Sequence, residues 1–234
     1  KRTFSTETME TMEEKLYAKY HTNEALIEAL DEGSTALLRG DWLVRWSQGG
    51  HLLPRRQDLP EAAFWNVEDL EVGKSIIRDV HTSQEINVIA ISYCWFSVEH
   101  PDPSGVQLQL IAAALEAYHQ STRQWTTPNT AVFLDWCSFY QRPRVGDEEA
   151  MFKKALQHTN IWYANAKTKV WCLTTVAEGV REYDMRGWPR FEKAVSQLVH
   201  DQGDAISIAN VSKGQTWVDI ERMGKMSQEA PLHP

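Results

Sequence analysis

The chain has 234 residues, enough for one substantial core or for one core with an appended subdomain. A hydrophobic fraction of 42% and a charged fraction of 24% are those of a soluble globular protein, and no apolar run approaches the ~20 residues of a membrane span. With 24 Lys and Arg against 32 Asp and Glu, the formal charge of -8 repels phosphate backbones and argues against nucleic acid as a partner.

Residues 1–31 read as helical, with Met9, Met12, Leu16 and Tyr20 on one face and a second stripe through Leu26, Ile27 and Leu30 after Asn23. Gly33-Ser34 closes that part. Trp42-Leu43-Val44-Arg45-Trp46 and His51-Leu52-Leu53 flank Ser47-Gln48-Gly49-Gly50, a pattern that predicts a hairpin with glycines at its tip. Residues 60–65 suggest a helical turn, and polar sequence runs on to about Gln84. Residues 1–84 are therefore expected to form a mainly helical N-terminal subdomain, and 85–234 an α/β domain.

From Glu85 the pattern becomes regular. Ile86–Tyr93 is a nearly continuous apolar run, as in a strand buried on both faces. Val106, Leu110, Ile111, Ala114 and Tyr118 then mark an amphipathic helix, Ala131–Trp136 a second strand, and Asp147-Glu148-Glu149 the start of a second helix with Phe152, Ala155, Leu156, Trp162 and Tyr163. A third strand is expected at Thr168–Thr174. Pro189 opens a third helix whose apolar stripe is Phe191, Ala194, Val195, Leu198 and Val199, and Ala205–Ala209 reads as a fourth strand. This alternation predicts right-handed crossovers and a parallel sheet covered by helices on both faces.

Ligands of such sheets bind beyond the carboxyl ends of the strands. Those ends carry Ser92-Tyr93-Cys94-Trp95, Asp135-Trp136-Cys137-Ser138, and the loop leading to Arg186-Gly187-Trp188. Glu192, four residues after Trp188, is expected to flank the buried stripe, to feel the positive end of its helix, and so to be ionised beside an aromatic wall. Such a carboxylate can steady a sugar that gains positive charge during bond cleavage. Competing chemistries have weaker support. Asp135, Cys137 and His158 could form a nucleophile set only if the fold brought them together, no G-x-x-x-x-G-K-[ST] loop is present, and no paired spacing suggests a metal. The three cysteines, Cys94, Cys137 and Cys172, each fall in or just after an expected strand. They predict unbridged thiols and, with no signal-peptide pattern after Lys1, a cytoplasmic protein.

Three of these segments together resemble a known family. Ile91-Ser92-Tyr93-Cys94-Trp95 is similar to the S-Y-x-W signature of the heterokaryon-incompatibility (HET) domains, Phe133–Gln141 to their Asp, Cys and Gln pattern, and Arg186-Gly187-Trp188 with Glu192 to their R-G-W-x-x-x-E segment. The strand order and the W-x-x-x-E helix start also resemble the Toll/interleukin receptor (TIR) domains. The similarity covers about residues 85–215. It implies a flavodoxin-like sheet and NAD+ cleavage in a signalling or defence role, with NAD+ as substrate and no bound cofactor or metal. It also implies Glu192 as the catalytic residue, a nucleotide held by Ser92, Tyr93, Trp95, Asp135, Trp188 and Arg190, and a homo-oligomer assembled through the aromatic and basic loop 139–146. The alternative it leaves open is a non-enzymatic module for self-assembly or nucleotide sensing.

Overall fold

The computed structural model describes residues 6–65, 87–122, 130–176, 179–199 and 205–226. The boundary expected at 84/85 lies outside these residues, as do the side chains of Met9, Leu198 and Val199. Two helices, α1 (Thr6–His21) and α2 (Glu24–Asp31), lead to the short strand β1 (Leu38–Arg39) and helix α3 (Gly40–Gln48). Then follow β2 (Asn87–Tyr93), α4 (Val106–Thr122), β3 (Thr130–Phe133), the turn-length helix α5 (Asp135–Ser138), α6 (Glu148–Ala164), β4 (Thr168–Leu173), α7 (Gly187–Val199), β5 (Ala205–Ser207) and α8 (Trp217–Gly224).

The five strands form one mixed sheet in the order β1-β3-β2-β4-β5. β2, β3, β4 and β5 run parallel, with Ala90 opposite Phe133 and Ile91 opposite Trp171, while β1 pairs antiparallel to β3 through Leu38 and Val132. The expected all-parallel sheet therefore gains an antiparallel edge strand. The four parallel strands, numbered along the chain, lie in the order 2-1-3-4. That order is compatible with a flavodoxin-like fold, whose crevice opens where the connections diverge, here at the carboxyl ends of β2 and β4.

Alternation along β2 divides the core in two. Ile89, Ile91 and Tyr93 join one cluster with Trp42 and Leu43 of α3, Leu108, Ile111 and Leu115 of α4, and Ile220 of α8. Ala90 and Cys94 join the other, with Leu26 and Leu30 of α2, Phe133, and Trp162 and Tyr163 of α6. Residues 37–63 thus supply an edge strand and core side chains to the sheet itself.

The hairpin expected at 41–57 is not formed. Trp42 to Trp46 is helical in α3, where the two indoles, one turn apart, stack with centroids 4.7 Å apart, and Gly49 and Gly50 end the helix, the latter at φ +71°. The second strand ends at Phe133, three residues earlier than expected, because the Asp135 carboxyl accepts the Trp136 N–H at 2.6 Å and turns the chain into α5. Neither β1 nor α8 was anticipated. Cys94, Cys137 and Cys172 are buried and unbridged. Among the described residues no helix is long and apolar enough to cross a membrane.

Candidate functional site

Two carboxyl groups meet polar partners at the carboxyl edge of the parallel strands. Consecutive residues of β2 hold them. Ser92 Oγ donates a short hydrogen bond to Glu192, and Tyr93 Oη donates to Asp135 Oδ1 at 2.6 Å. Side chains of successive strand residues point to opposite faces, so one strand end serves two sites, one on each side of the sheet.

Glu192 sits on α7, where Ser92 donates to its carboxyl and the Tyr163 hydroxyl of α6 and the Trp188 indole one turn earlier lie near enough to favour its charged form. Tyr183 Oη lies 2.5 Å from Ser92 Oγ. Because the one serine proton is given to Glu192, the Tyr183 hydroxyl is the donor of that pair. Ser92 is fully buried, and Glu192, Tyr163 and Tyr183 are buried too. Burial pushes the Glu192 acid up to about 8, opposed by the Ser92 bond, reinforced by the negative charge of Asp135, and opposed again by the bonds from Tyr163 and Trp188. The ionised carboxylate expected from the sequence is thus corrected: at neutral pH Glu192 holds its proton. It is also the sixth residue of α7, beyond the first turn where the helix dipole acts.

The orientation of α7 is a second correction. Its inward face carries Pro189, Glu192, Lys193 and Ser196, whereas Ala194 is exposed, Val195 half-buried, and Phe191 and Trp188 are 42% and 49% exposed. The described part of the expected apolar stripe is therefore not the buried face of the helix. Lys193 reaches Asp184 at 2.9 Å, so even the inward cation is paired.

Asp135 is half-buried at the start of α5. It accepts from Tyr93, from the Trp136 N–H, and from Trp95 Nε1 at 3.1 Å. Burial raises its acid, and these three bonds oppose the rise. Around it, Trp95 and Trp136 meet edge to face at 5.2 Å, and the His100 ring stands 5.2 Å from Trp136. His100 Nδ1 accepts the Asp102 N–H, which leaves Nε2–H to donate to the Leu53 carbonyl at 2.9 Å. The loop between β2 and α4 is therefore stitched to the segment before residue 54.

Of the expected site residues, Ser92 and Trp188 gather at Glu192, and Tyr93 and Trp95 at Asp135. Arg190 joins neither set: it is half-buried on α7, and the bonds to both carboxyls come from other side chains. Arg186 instead donates from Nη1 to the Trp95 carbonyl at 2.9 Å, tying the Arg-Gly-Trp segment to the end of β2. Tyr163 and Tyr183 were missed. Tyr163 looks like one more member of the apolar stripe of α6, yet its hydroxyl donates to the Ile91 carbonyl at 3.4 Å and nears Glu192 only because α7 docks there; no local pattern marks Tyr183.

The nucleophile set is not assembled. The buried Cys137 thiol is pushed well above its usual range by burial and donates to the Pro54 carbonyl, while His158 faces Glu32 at 4.0 Å. The loop 139–146, expected as an exposed assembly surface, is largely tied inward. Phe139 and Gln141 are buried, Tyr140 lies under the Arg56 guanidinium at 4.1 Å, and Arg144 stacks on Phe152 at 3.4 Å while pairing with Glu149. Only Arg142, Pro143 and Val145 to Asp147 remain open there. Among the described residues no group of three or more His, Cys, Asp or Glu could hold a metal ion.

Fold and site together define an α/β protein with a flavodoxin-compatible strand order and two carboxyls, Glu192 and Asp135, each bonded by one of two adjacent residues of its first parallel strand. Comparison with family models, with curated proteins and with solved structures finds no match to this chain.

Proposed function

We propose that this chain is a TIR- or HET-like NAD+ glycohydrolase of the cytoplasm, cleaving the nicotinamide–ribose bond in a signalling or defence role. The observation that carries the reading is that Glu192 and Asp135 both stand at the carboxyl edge of the sheet, held on its two faces by the consecutive residues Ser92 and Tyr93 of β2, with Asp135 beside an aromatic wall of Trp95 and Trp136. Nicotinamide is cationic while bound to ribose and leaves neutral, so its departure requires no general acid. Water adds to the anomeric carbon and one proton is released. The protein's task is to stabilise positive charge on the ribose, and a carboxylate surrounded by fixed donors suits it.

With an acid near 8, about a tenth of Glu192 is ionised at pH 7. A cationic ring beside it favours the charged form, so substrate itself promotes the active state. Trp188, one turn before Glu192 and half exposed, is the group proposed to border an entering ligand on that side. Asp135 and Trp95 are the groups proposed to meet the nucleotide.

Nicotinamide release by the full chain, followed across pH, tests this. At low substrate concentration, where the free protein's acid governs, the rate should climb about tenfold per unit until it levels near pH 8, and Glu192→Gln should lose the activity. Release that persists in Glu192→Gln, or a rate that falls on approach to pH 8, would overturn the assignment. A second reading, the self-assembly or nucleotide-sensing module, is favoured by the exposed rings of Trp188 and Phe191 on α7, and it prevails if wild type releases no nicotinamide in any assembly state.

A further inference from the structure

We infer that Tyr183 is a positioning residue of the Glu192 site: by donating to Ser92 it turns the one serine proton onto the Glu192 carboxyl and keeps it there. The inference deepens the proposed reading of Glu192 and rests on it only for the effect on rate. A serine hydroxyl has three staggered positions, and in a strand it can turn its one proton to a nearby carbonyl instead of a carboxyl. It also accepts, and whichever group occupies its lone pair decides where the proton goes. Ser92 is fully buried, its Oγ lies 2.5 Å from Tyr183 Oη, and it meets Glu192 in a short bond.

The phenol is placed by its own segment and not by Ser92. Tyr183 opens the single 3-10 turn Tyr183–Met185, closed by the Met185 N–H to the Glu182 carbonyl at 3.0 Å and by the Arg186 N–H to the Tyr183 carbonyl at 3.1 Å. Arg186 then clasps the Trp95 carbonyl at 2.9 Å and the Arg181 carbonyl at 3.2 Å, which fastens the loop between β4 and α7 to the end of β2. The ring is buried in the core cluster that holds Phe133, Cys172 and Ala205. Cys172 stands opposite Ser92 in the β2–β4 pairing, so the phenol hydroxyl has a thiol and a serine within reach. Sulfur accepts weakly, and the Tyr183 proton goes to Ser92. Hydrogen bonds in series polarise one another, by ~10–30% per link. The Tyr183 link therefore strengthens the Ser92 bond that favours the Glu192 carboxylate against burial. The other groups that bear on Glu192 are the Tyr163 hydroxyl of α6, the Trp188 indole on α7 and the negative charge of Asp135; Lys193 and Asp184, paired with each other, bear on Cys172.

Titration of the Glu192 carboxyl by carbon-13 NMR tests this in the full chain, its signal identified by its loss in Glu192→Gln. Wild type, Tyr183→Phe, Ser92→Ala and the double variant are compared. Tyr183→Phe keeps the packed ring and removes only the hydroxyl, and Glu192 should then titrate about 0.3–0.5 of a pH unit above its wild-type value. The double variant should titrate with Ser92→Ala alone, because a residue acting through Ser92 has no effect once that hydroxyl is gone. The pH at which nicotinamide release levels should rise by the same step in Tyr183→Phe. A downward shift would mean that Ser92 donates to Tyr183 in the native chain and would overturn the inference, as would no shift. Added shifts in the double variant would overturn it too, by showing that the phenol acts on Glu192 directly. The expected titrations with no nicotinamide release from wild type would uphold the positioning of Glu192 and strike only NAD+ cleavage.

Discussion

Glu192 and Asp135 differ in how they are built, although neighbouring residues of one strand hold them. Asp135 receives one of its bonds from the backbone next to it, and two more from Tyr93 and Trp95, so its surroundings form once the neighbouring ends of β2 and β3 are paired. Glu192 has no local donor except Trp188. Its other bonds come from β2 and α6, and Tyr183 supports Ser92 from a fourth segment. One carboxyl is a feature of two adjacent strand ends; the other is enclosed only when α7 has docked. The difference also decides exposure, since Asp135 is half-buried and Glu192 almost fully enclosed.

The largest test of that difference is the pH dependence of stability. The folded chain holds the Glu192 proton to about 8, whereas the unfolded chain releases it near 4.5. Between those values the folded state binds more protons, so stability falls as pH rises, and the loss is complete above about 8. Glu192→Gln carries no such proton. Its unfolding free energy should gain on wild type across this window, by up to several kcal/mol. Urea unfolding of both proteins at a series of pH values measures it, and parallel curves would mean that α7 does not enclose the acid.

Next in size is the catalytic contrast. Removing the charge of Glu192 should cost ~10²–10³ in nicotinamide release, as for loss of one preorganised electrostatic group. Asp135→Asn should cost less, because an amide oxygen in the Oδ1 position still accepts the Tyr93 and Trp136 protons, and only the Trp95 bond to Oδ2 is lost. Rates measured at matched thermal stability compare them. A greater loss in the Asp135 variant would exchange the two roles.

What the sequence made legible follows the same division. The buried strands announce themselves as apolar runs, and the Ser92-Tyr93 and Asp135 ends follow from where those runs stop. Periodicity located α7 but misjudged its rotation, because a stripe of Phe191, Ala194 and Val195 says that a helix has an apolar side, not that the side is covered. The inward polar face is stabilised by donors on β2 and α6, one hundred and about thirty residues distant for Ser92 and Tyr163 respectively. No local pattern contains them. Residues 42–46 failed for another reason: Trp-Leu-Val-Arg-Trp fits a strand by residue type, and the i,i+4 stacking of Trp42 on Trp46 that favours the helix is not visible to a period-two reading.

A smaller effect separates the two sites within the fold itself. Ser92→Ala removes a fully buried donor from Glu192 and an acceptor from Tyr183, in a place with no room for compensation by side chains already in use. Leaving buried groups unpaired costs ~1–3 kcal/mol, and unfolding in urea at pH 7 should show a loss in that range. A neutral outcome would mean that solvent reaches the Glu192 pocket.

The adjacent substitution, Tyr93→Phe, should cost less. It removes one bond to Asp135 and keeps the ring that packs in the core with Ile89 and Ile91. Asp135 retains the Trp136 N–H and the Trp95 indole, and as a half-buried group it has access to water for the vacated position. The net worth of an ordinary hydrogen bond, ~0.5–1.5 kcal/mol, is then the expected loss in urea unfolding. Because Ser92 and Tyr93 occupy consecutive positions of one strand, their backbone surroundings are nearly shared, and the difference between the two variants isolates the carboxyl each serves. A loss in Tyr93→Phe that equals or exceeds that of Ser92→Ala would show that Asp135 is as tightly enclosed as Glu192, and would remove the reason for placing Asp135 on the ligand side of the site.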